Sequence, residues 1–345
     1  MLSDLPAFGI CGWSGSGKTA LLEALLPRLR GRGLAVAVVK HDAHGIVVDP
    51  AGKDSDRLFR AGADVVLQGP GEELSRAHRG DAAGLEEVVP RLAAGYDLVL
   101  VEGHKDTPLP KVWLLGPRED SPPGGASGVT AVLPPGPGRA EALEALLAEW
   151  LPGQWLKTPV FGCVLIGGRS RRMGRPKHLL VREGRTWLER TADLLRGCCR
   201  QEAIAGAGEV PATLAGCVRL ADVPDAEGPL AGILAAMRWA PRAAWLVAAC
   251  DHPELSAGAL EWLLAQRAPG VWAVLPRLPG RREAEPLLAC YDFRARARLE
   301  ALAERGDFRP RLIAGSPKVL SPSPPEGLLR SWRSANTPDE AASSE

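Results

Sequence analysis

The sequence predicts an α/β protein with two domains, each built around a mostly parallel sheet. The chain has 345 residues, which is more than one typical domain holds and enough for two. Both halves alternate short apolar runs with helical patterns, an arrangement typical of parallel α/β sheets. A stretch with Pro and Gly at residues 151–159 separates the halves and precedes a fresh apolar run. We therefore predict domains at residues 1–154 and 159–345, joined by a short linker.

The composition excludes several classes of protein. Hydrophobic residues make up 46% of the chain, so each half can bury a core, and 42 basic residues nearly balance 41 acidic ones. A net charge of +1 gives no electrostatic footprint for nucleic acid or for an anionic membrane surface. The seven cysteines form no Cys-x-x-Cys pair, and no apolar run approaches about 18 residues. We expect a soluble, cytoplasmic protein with reduced thiols, no nucleic-acid partner and no membrane association.

The first half contains a regular series of apolar runs bounded by turn residues. They predict strands at residues 7–11, 34–39, 64–67, 97–101, 112–115 and 130–133. Apolar residues at helical spacing predict helices at residues 19–29 and 139–151. The Pro- and Gly-rich residues 116–128 are predicted to form a long loop inside this domain.

The second half begins again with an apolar strand, predicted at residues 160–166. Further apolar runs follow at residues 218–221 and 245–249. Helical patterns cover residues 187–198, 256–267 and 293–305. Residues 228–232, Gly-Pro-Leu-Ala-Gly, are predicted to form a turn between these elements.

A phosphate-binding loop follows the first predicted strand. Residues 12–19 match the pattern G-x-x-x-x-G-K-[ST] at every fixed position, with a strand before and a helix after. Glycines let backbone N–H groups curl around a phosphate at the positive end of a helix. The lysine is then placed to reach the β- and γ-phosphates, and the threonine hydroxyl to bind Mg²⁺. The predicted nucleotide contacts are Gly12, Gly15, Ser16, Gly17, Lys18 and Thr19.

Glu102 directly follows the strand predicted at residues 97–101. In an open α/β sheet, a carboxylate at the carboxyl end of a strand faces the ligand crevice. Glu102 and Thr19 are therefore candidate Mg²⁺ ligands, with Glu102 acting directly or through water. Between these motifs, His41 and His44 lie among several acids. This segment predicts either a transition-metal site or a polar loop that binds a partner or positions phosphates.

A second loop, rich in glycine and cations, follows the strand predicted at residues 160–166. Residues 165–177 hold two adjacent glycines and five cations. Paired glycines permit close backbone approach to a nucleotide. Arg172 and Lys177 are placed to meet a triphosphate and stabilise charge that develops on pyrophosphate, so both are candidate catalytic residues. The candidate nucleotide contacts in this loop are Leu165, Ile166, Gly167, Gly168 and Lys177.

Two carboxylates are candidates to complete this second site. Asp251 comes two residues after the apolar run at residues 245–249, and Asp222 follows the run at residues 218–221. Carboxylates at strand ends facing a phosphate loop suit a Mg²⁺-assisted transfer, because Mg²⁺ bridges phosphate oxygens and leaves its other positions mostly to water. Asp251 is a candidate catalytic residue and Mg²⁺ ligand. His252, beside it, is either a substrate contact or a structural residue before a Pro turn.

The first half resembles the MobB family, the GTP-binding accessory proteins of molybdopterin-guanine dinucleotide synthesis. Besides the P-loop, the matching motifs are, in order, VVKH at residues 38–41, GKDSD at 52–56, AGA at 61–63 and VEGHK at 101–105. The resemblance covers residues 7–151. It implies a P-loop NTPase-type parallel sheet, with Lys18, Thr19 and Glu102 as contacts to GTP and Mg²⁺.

The second half resembles the MobA family, the molybdenum cofactor guanylyltransferases. The matching residues are Gly167 and Gly168 with RMG at residues 172–174 and Lys177, GPLAG at 228–232, CDHP at 250–253, EPLLA at 285–289 and NTP at 336–338. The resemblance covers residues 160–341. It implies a Rossmann-like nucleotidyltransferase domain with GTP bound over the two glycines and Lys177 on the phosphates. Asp222 would lie near the guanosine moiety, and Asp251 would bind Mg²⁺.

Together the two resemblances imply Mg²⁺-dependent transfer of GMP from GTP to molybdopterin, with an accessory GTP-binding domain. The products would be molybdopterin guanine dinucleotide and pyrophosphate. The partners implied are molybdoenzymes or their chaperones, and a second copy of the chain bound through the P-loop domain. Two alternatives stay open: a cytidylyltransferase or sugar-phosphate nucleotidyltransferase of the same fold, and a non-catalytic P-loop adaptor that delivers cofactor.

Overall fold

The computed structural model of the protein describes residues 2–41, 49–78, 84–167 and 176–335. The chain divides into two compact units. One unit comprises Met1–Arg28 with Val36–Ala145, and the other comprises Leu29–Ala35 with Leu146–Glu345. No helix in the part of the chain described is both long enough and apolar enough to cross a membrane.

The first half of the chain alternates strands and helices. Its strands are β1 (Ala7–Cys11), β2 (Val36–Lys40), β3 (Val65–Gln68), β4 (Glu73–Arg76), β5 (Leu98–Glu102), β6 (Lys111–Leu114) and β7 (Val129–Leu133). Its helices are α1 (Lys18–Gly31), α2 (Asp54–Arg60), α3 (Leu85–Ala93) and α4 (Arg139–Leu156). Each strand predicted in this half is present. The helix predicted at residues 139–151 continues through Pro152 to Leu156, so residues 152–156 of the stretch predicted to separate the domains belong to α4 instead.

A parallel sheet forms the centre of the first unit. Within the described residues its strand order is β2-β5-β1-β6-β7, and every neighbouring pair is parallel. β1 and β5 are wholly buried, which explains why both read as unbroken apolar runs. β3 and β4 form a separate antiparallel hairpin. The strand predicted at residues 64–67 is therefore present, but it pairs outside the parallel sheet.

The second half contains its own series of strands and helices. Its strands are β8 (Val160–Leu165), β9 (Val181–Arg182), β10 (Arg185–Thr186), β11 (Gln201–Ala205), β12 (Val218–Leu220), β13 (Ala244–Ala249), β14 (Ala273–Val274), β15 (Leu288–Tyr291) and β16 (Val319–Leu320). Its helices are α5 (Trp187–Cys198), α6 (Gly228–Trp239), α7 (Ala257–Ala265) and α8 (Arg296–Glu304). The described strands of its large sheet run in the order β12-β11-β8-β13-β15-β14-β16. The first four are mutually parallel, and β15 is antiparallel to β13.

One prediction in this half is wrong. Residues 228–232 do not form a turn; they begin helix α6, with Pro229 in its first turn. Proline is favoured at this position, because the first helical N–H has no partner in the helix and the proline ring presets φ. Residues Leu230–Met237 of α6 are buried, so the helix lies in the core of the unit. The helix predicted at residues 293–305 also begins later, since Phe293–Ala295 form a 3₁₀ turn before α8.

The seven cysteines all lie within the described residues and are free thiols. Four of them are buried: Cys11, Cys163, Cys250 and Cys290. Burial raises the pKa of Cys163, Cys250 and Cys290 to about 12. These thiols are therefore protonated at neutral pH and serve as small apolar residues of the core.

We predict that Gly206→Ala destabilises the second unit by about 3 kcal/mol, because two costs add. Gly206 follows β11 with φ +109°, and a β-carbon there would overlap the carbonyl oxygen of Ile166. The control is Gly216→Ala, since a β-carbon there meets no atom within 4 Å. Urea unfolding of the full chain should show a lower midpoint for Gly206→Ala than for the wild type. The midpoint of the control should be almost unchanged. Equal midpoints for the two variants would contradict the steric account.

Candidate functional site

A cavity of about 320 Å³ opens at one edge of the large sheet in the second unit. Leu165, Ala205 and Ala249, which end β8, β11 and β13, all line it. In open α/β sheets, ligands bind at the carboxyl ends of strands, where successive connections leave in opposite directions. β8 pairs with β11 on one side and β13 on the other. The cavity therefore lies at the switch point of this sheet.

Lys177 and Asp251 contact each other in this cavity. The Lys177 ammonium donates to Oδ2 of Asp251 at 3.1 Å. The two side chains are 18% and 24% exposed, so both reach the cavity while being largely shielded from bulk water. Asp251 follows β13, and Lys177 begins a short 3₁₀ turn, Lys177–Leu179, after the glycine-rich loop. Lys177 and Asp251 thus bring a cation and a carboxylate together in the cavity wall, the two kinds of charge that suit a metal-bound triphosphate.

Asp222 lines the same cavity after β12. Burial raises the pKa of its carboxyl group. A ligand that supplies a cation or an N–H donor here would favour the charged carboxylate. Gly232 of α6 lies beside it, and a β-carbon at Gly232 would be 2.8 Å from Cδ2 of Leu165. The glycine therefore lets α6 approach β8 closely.

The first turn of α6 is a part of the site that the sequence interpretation missed. Gly228, Pro229 and Gly232 line the cavity together with Leu287, which directly precedes β15. Because the helix begins here, its unpaired N–H groups and positive dipole end are directed to this side of the unit. Proline next to glycine was the available signal, but it predicts a turn as readily as a helix start.

The structure brings together residues that the sequence identified in separate motifs. Those lining the cavity are Leu165, Ile166, Gly167, Lys177, Asp222 and Asp251. Gly167 has φ +112°, a conformation that favours glycine. Gly168 and Arg172, also predicted for this site, lie outside the described residues.

A second cavity of about 600 Å³ adjoins the first, since Asp251 and Leu287 line both. His252 lies in its wall with 7% of its surface exposed. Burial lowers the pKa of His252, so its ring is neutral at pH 7, and the ring bonds the backbone of Arg333. The other ring nitrogen, Nδ1, is buried and has no hydrogen-bond partner within the described part of the chain.

The P-loop of the first unit has the backbone that its motif requires. Gly12, Gly15 and Gly17 have φ values of +151°, +78° and +90°. At Gly12 a β-carbon would lie 2.5 Å from Oγ of Ser16 and 2.6 Å from the carbonyl oxygen of Leu114. The Lys18 ammonium donates to the carbonyl oxygens of Gly12 at 3.1 Å and Trp13 at 2.9 Å. The lysine therefore lies along the loop, within reach of a phosphate in that loop.

Arg139, the first residue of α4, fixes the P-loop from outside the motif. It donates to the carbonyl oxygen of Ser16 at 2.8 Å. Its other donors bond the carbonyl oxygens of Leu115 at 2.5 Å, Leu133 at 3.1 Å and Pro134 at 2.6 Å. One guanidinium thus joins the loop to the segments that follow β6 and β7. No motif in the sequence marked this residue.

Glu102 ends β5 and is 8% exposed. Its register partners are Ile10 in β1 and Lys40 in β2, which place it in the interior of the sheet edge. Mg²⁺ bound with a nucleotide takes one or two protein oxygens, because phosphate and water supply the other ligands. The Glu102 carboxylate and the Thr19 hydroxyl have the right donor chemistry for such a metal ion.

Only part of the segment that predicted an alternative transition-metal site near His41 lies within the described residues. His41 and His104 lie with their ring centroids 4.7 Å apart, and His44 lies outside the described residues. In the part of the chain described, no group of three or more His, Cys, Asp or Glu side chains is arranged to hold a metal ion.

The loop after β5 is supported by a buried lysine. Lys111 of β6 is fully buried, and its ammonium donates to the carbonyl oxygens of Lys105 and Thr107, each at 2.6 Å. Burial lowers the pKa of Lys111. Lys105, held in this way, places its ammonium 3.5 Å from the ring centroid of Trp13 in the P-loop. The VEGHK motif is therefore joined to the P-loop by a cation–π contact.

Comparison with known protein families gives two matches in tandem. Residues 7–132 match the family described as molybdopterin guanine dinucleotide synthesis protein B, MobB. Residues 162–319 match the family described as MobA-like NTP transferase domain. The two matched segments contain the P-loop and the cavity with Lys177 and Asp251, respectively.

Three curated relatives illustrate these matches. The molybdopterin-guanine dinucleotide biosynthesis adapter protein of Haemophilus influenzae is 40% identical over 33% of this chain and 65% of its own length, just under two thirds. A probable molybdenum cofactor guanylyltransferase of Bacillus cereus strain Q1 is 30% identical over 41% of this chain and 73% of its own. A molybdenum cofactor biosynthesis bifunctional protein of Synechocystis is 37% identical over 32% of each chain.

We predict that Arg139→Gln loosens the P-loop, because four carbonyl groups lose their charged donor. Amide hydrogen exchange at residues 12–19 should become about tenfold faster or more, while β1 itself stays protected. Arg118→Gln is the matched control, since Arg118 is exposed and lies in the loop after β6. Unchanged exchange at residues 12–19 in Arg139→Gln would show that the guanidinium does not hold the loop.

Proposed function

The chain belongs to two families in tandem, with a MobB domain followed by a MobA-like NTP transferase domain, and we propose that it transfers GMP from GTP to molybdopterin. Its second domain makes it a nucleotidyltransferase of molybdenum cofactor biosynthesis. The observation that carries the finer proposal is the pair formed by Lys177 and Asp251 at the switch point of the sheet. The pair lies inside the segment that matches the transferase family.

The proposed reaction is an in-line displacement at the α-phosphorus of GTP. An oxygen of the terminal phosphate of molybdopterin forms a new P–O bond with the α-phosphorus. The bond from the α-phosphorus to the oxygen bridging to the β-phosphate breaks, and pyrophosphate leaves with that electron pair. The attacking oxygen is already anionic, so no side chain is needed as a general base. Catalysis then depends on positioning and on stabilisation of charge.

Each residue in the cavity has a proposed task in this reaction. Lys177 donates to the phosphates and offsets the charge that develops on pyrophosphate. Asp251 would hold the metal ion, and Arg172 is proposed as a second cation on the phosphates. Mg²⁺, when bound, would neutralise part of the phosphate charge. Asp222 is proposed to contact the guanosine moiety.

The P-loop domain is proposed to bind a second GTP as an accessory domain. Gly12–Thr19 would enclose the phosphates, with Lys18 as their cation and with Thr19 and Glu102 on Mg²⁺. Support comes from the positive φ angles of the loop glycines and from Lys18, which lies along the loop. We further propose a cytoplasmic location, delivery of the product to molybdoenzymes or their chaperones, and a homodimer formed through this domain.

We predict that Asp251→Asn lowers the rate of dinucleotide formation about 1,000-fold, because the amide cannot supply the anionic ligand for Mg²⁺. The assay supplies the full chain with Mg²⁺, GTP and molybdopterin, and it measures pyrophosphate and the dinucleotide. Glu304→Gln, at the exposed end of α8, is the control and should keep the wild-type rate. Near-normal turnover in Asp251→Asn would refute the assignment of this residue. Faster product formation with CTP than with GTP would refute guanylyl transfer.

We predict that Lys18→Met removes one of two GTP-binding sites, because the P-loop loses its phosphate cation. Isothermal titration of the full chain with GTP and Mg²⁺ should show a stoichiometry near two in the wild type and near one in the variant. Arg91→Met, which removes an exposed cation of α3 outside every motif, should behave as the wild type. A wild type that binds one GTP would contradict the accessory site.

A further inference from the structure

The short turn that carries Lys177 also carries a buried histidine. This lysine turn, Lys177–Leu179, presents the ammonium that contacts Asp251 in the first cavity. The next residue, His178, is only 4% exposed and does not line that cavity. A polar side chain that is buried so fully normally has a hydrogen-bond partner that accounts for its position. His178 has no task in the proposed function, and no motif in the sequence marked it.

The His178 ring reaches from the lysine turn to the segment after β11, residues 206–209 (the β11 loop). Its Nε2 lies 2.9 Å from the carbonyl oxygen of Glu209, a residue 31 positions further along the chain. Burial lowers the pKa of the ring, which is therefore neutral at pH 7. Because a carbonyl oxygen only accepts, Nε2 carries the proton of the neutral ring and donates it. The side chain of the lysine turn thus bonds the backbone of the β11 loop.

At Gly208 the β11 loop leaves no room for a side chain against this ring. Gly208 has φ +147°, and a β-carbon there would lie 2.9 Å from Cε1 and 3.1 Å from Nε2 of His178. The ring therefore packs directly on the backbone of the loop. Arg219 of β12 holds the same backbone, since it donates to the carbonyl oxygen of Gly208 at 3.2 Å. The loop is thus held both by a neighbouring strand and by the lysine turn.

The β11 loop is also in backbone contact with the end of β8. The N–H of Ile166 donates to the carbonyl oxygen of Ala205 at 2.9 Å. A β-carbon at Gly206 would lie 2.0 Å from the carbonyl oxygen of Ile166, so only glycine permits this approach. Ile166 and Ala205 line the first cavity together with Lys177. His178 therefore joins the turn that carries Lys177 to the sheet edge that forms the cavity wall.

We propose that His178 is a positioning residue for GMP transfer, and that its bond to Glu209 holds Lys177 in register with the triphosphate at the ends of β8 and β11. This inference rests on the proposed function, because it takes Lys177 to act on the phosphates of GTP. Lysine carries a point charge on a flexible stem, so a fixed backbone is what directs the ammonium to the leaving pyrophosphate. His178 does not line the cavity, and it acts through Lys177 rather than on the substrate.

The first test compares His178→Leu, which removes the donor, with His178→Gln, whose amide N–H can still reach Glu209. Initial rates of dinucleotide formation by the full chain are measured against GTP, with Mg²⁺ and saturating molybdopterin. We expect His178→Leu to lower kcat about 30-fold while the KM for GTP changes less than about threefold, because Lys177 acts on charge that develops in the transition state. His178→Gln should restore kcat to within about threefold of the wild type. A normal kcat in His178→Leu would overturn the proposal.

Leu302→Ala is the control for a general loss of stability. Leu302 is buried in α8 and does not line the first cavity. Urea unfolding should show a lower midpoint for both Leu302→Ala and His178→Leu, and circular dichroism verifies that both are folded under the assay conditions. Only His178→Leu should lose turnover. An equal loss of kcat in Leu302→Ala would assign the effect of His178 to the stability of the fold and overturn the proposal.

A double-mutant cycle tests whether His178 acts through Lys177. We expect Lys177→Met alone to lower kcat about 100-fold. Adding His178→Leu to Lys177→Met should lower kcat less than about twofold further, because the ammonium that the ring positions is already absent. Losses that multiply would overturn the proposal, since a structural defect would act independently of the lysine.

Hydrogen exchange tests the bond between the two segments without turnover. The amides of Leu179 and Leu180 donate to the carbonyl oxygens of Pro176 and Lys177. Exchange at residues 177–180 should become about tenfold faster in His178→Leu and stay near the wild-type rate in His178→Gln. Unchanged exchange in His178→Leu would overturn this inference alone. A wild type that forms no dinucleotide from GTP and molybdopterin would overturn the proposed function, whereas faster exchange in His178→Leu would still show that the ring holds the turn.

Discussion

The parallel pairing of β8 with β11 and with β13 is the constraint on which the proposed transferase site depends. Leu165 is the register partner of Ala205 on one side and of Ala249 on the other, so the three strands end at the same level. The residues that follow them therefore meet at one edge of the sheet. This is why Gly167, close after β8, and Asp251, close after β13, line one cavity although more than eighty residues separate them.

Strand ends were the part of the site that the sequence could predict. Buried parallel strands are continuous apolar runs, so their ends are clear, and Glu102 and Asp251 stand at two of them. The same pattern could not show which strands are neighbours, and therefore it missed the contact between Lys177 and Asp251. Arg139 was missed for a related reason, since its four carbonyl partners come from three segments that are distant in sequence.

Local sequence signals failed where one residue type serves two structures. Pro229 between small residues predicted a turn, whereas burial of the following residues makes the segment the start of α6. The strand predicted at residues 64–67 formed but joined a hairpin, because its exposed pattern does not suit the interior of a parallel sheet. Helices α2 and α3 were not predicted, because α2 is only seven residues long and α3 contains Pro90, a residue that usually interrupts helices.

The ion pair between Lys177 and Asp251 has a thermodynamic consequence for ligand binding. Each group is a counter-ion of the other, so a free metal ion that takes the carboxylate breaks this ion pair, and a free triphosphate that takes the lysine breaks it as well. A metal–nucleotide complex offers a new counter-ion to both groups at once, the metal ion to Asp251 and the phosphates to Lys177. If the site binds both ligands as proposed, such a pair makes them cooperative, and by linkage each raises the affinity for the other to the same degree. The resting ion pair would then discriminate against either ligand alone.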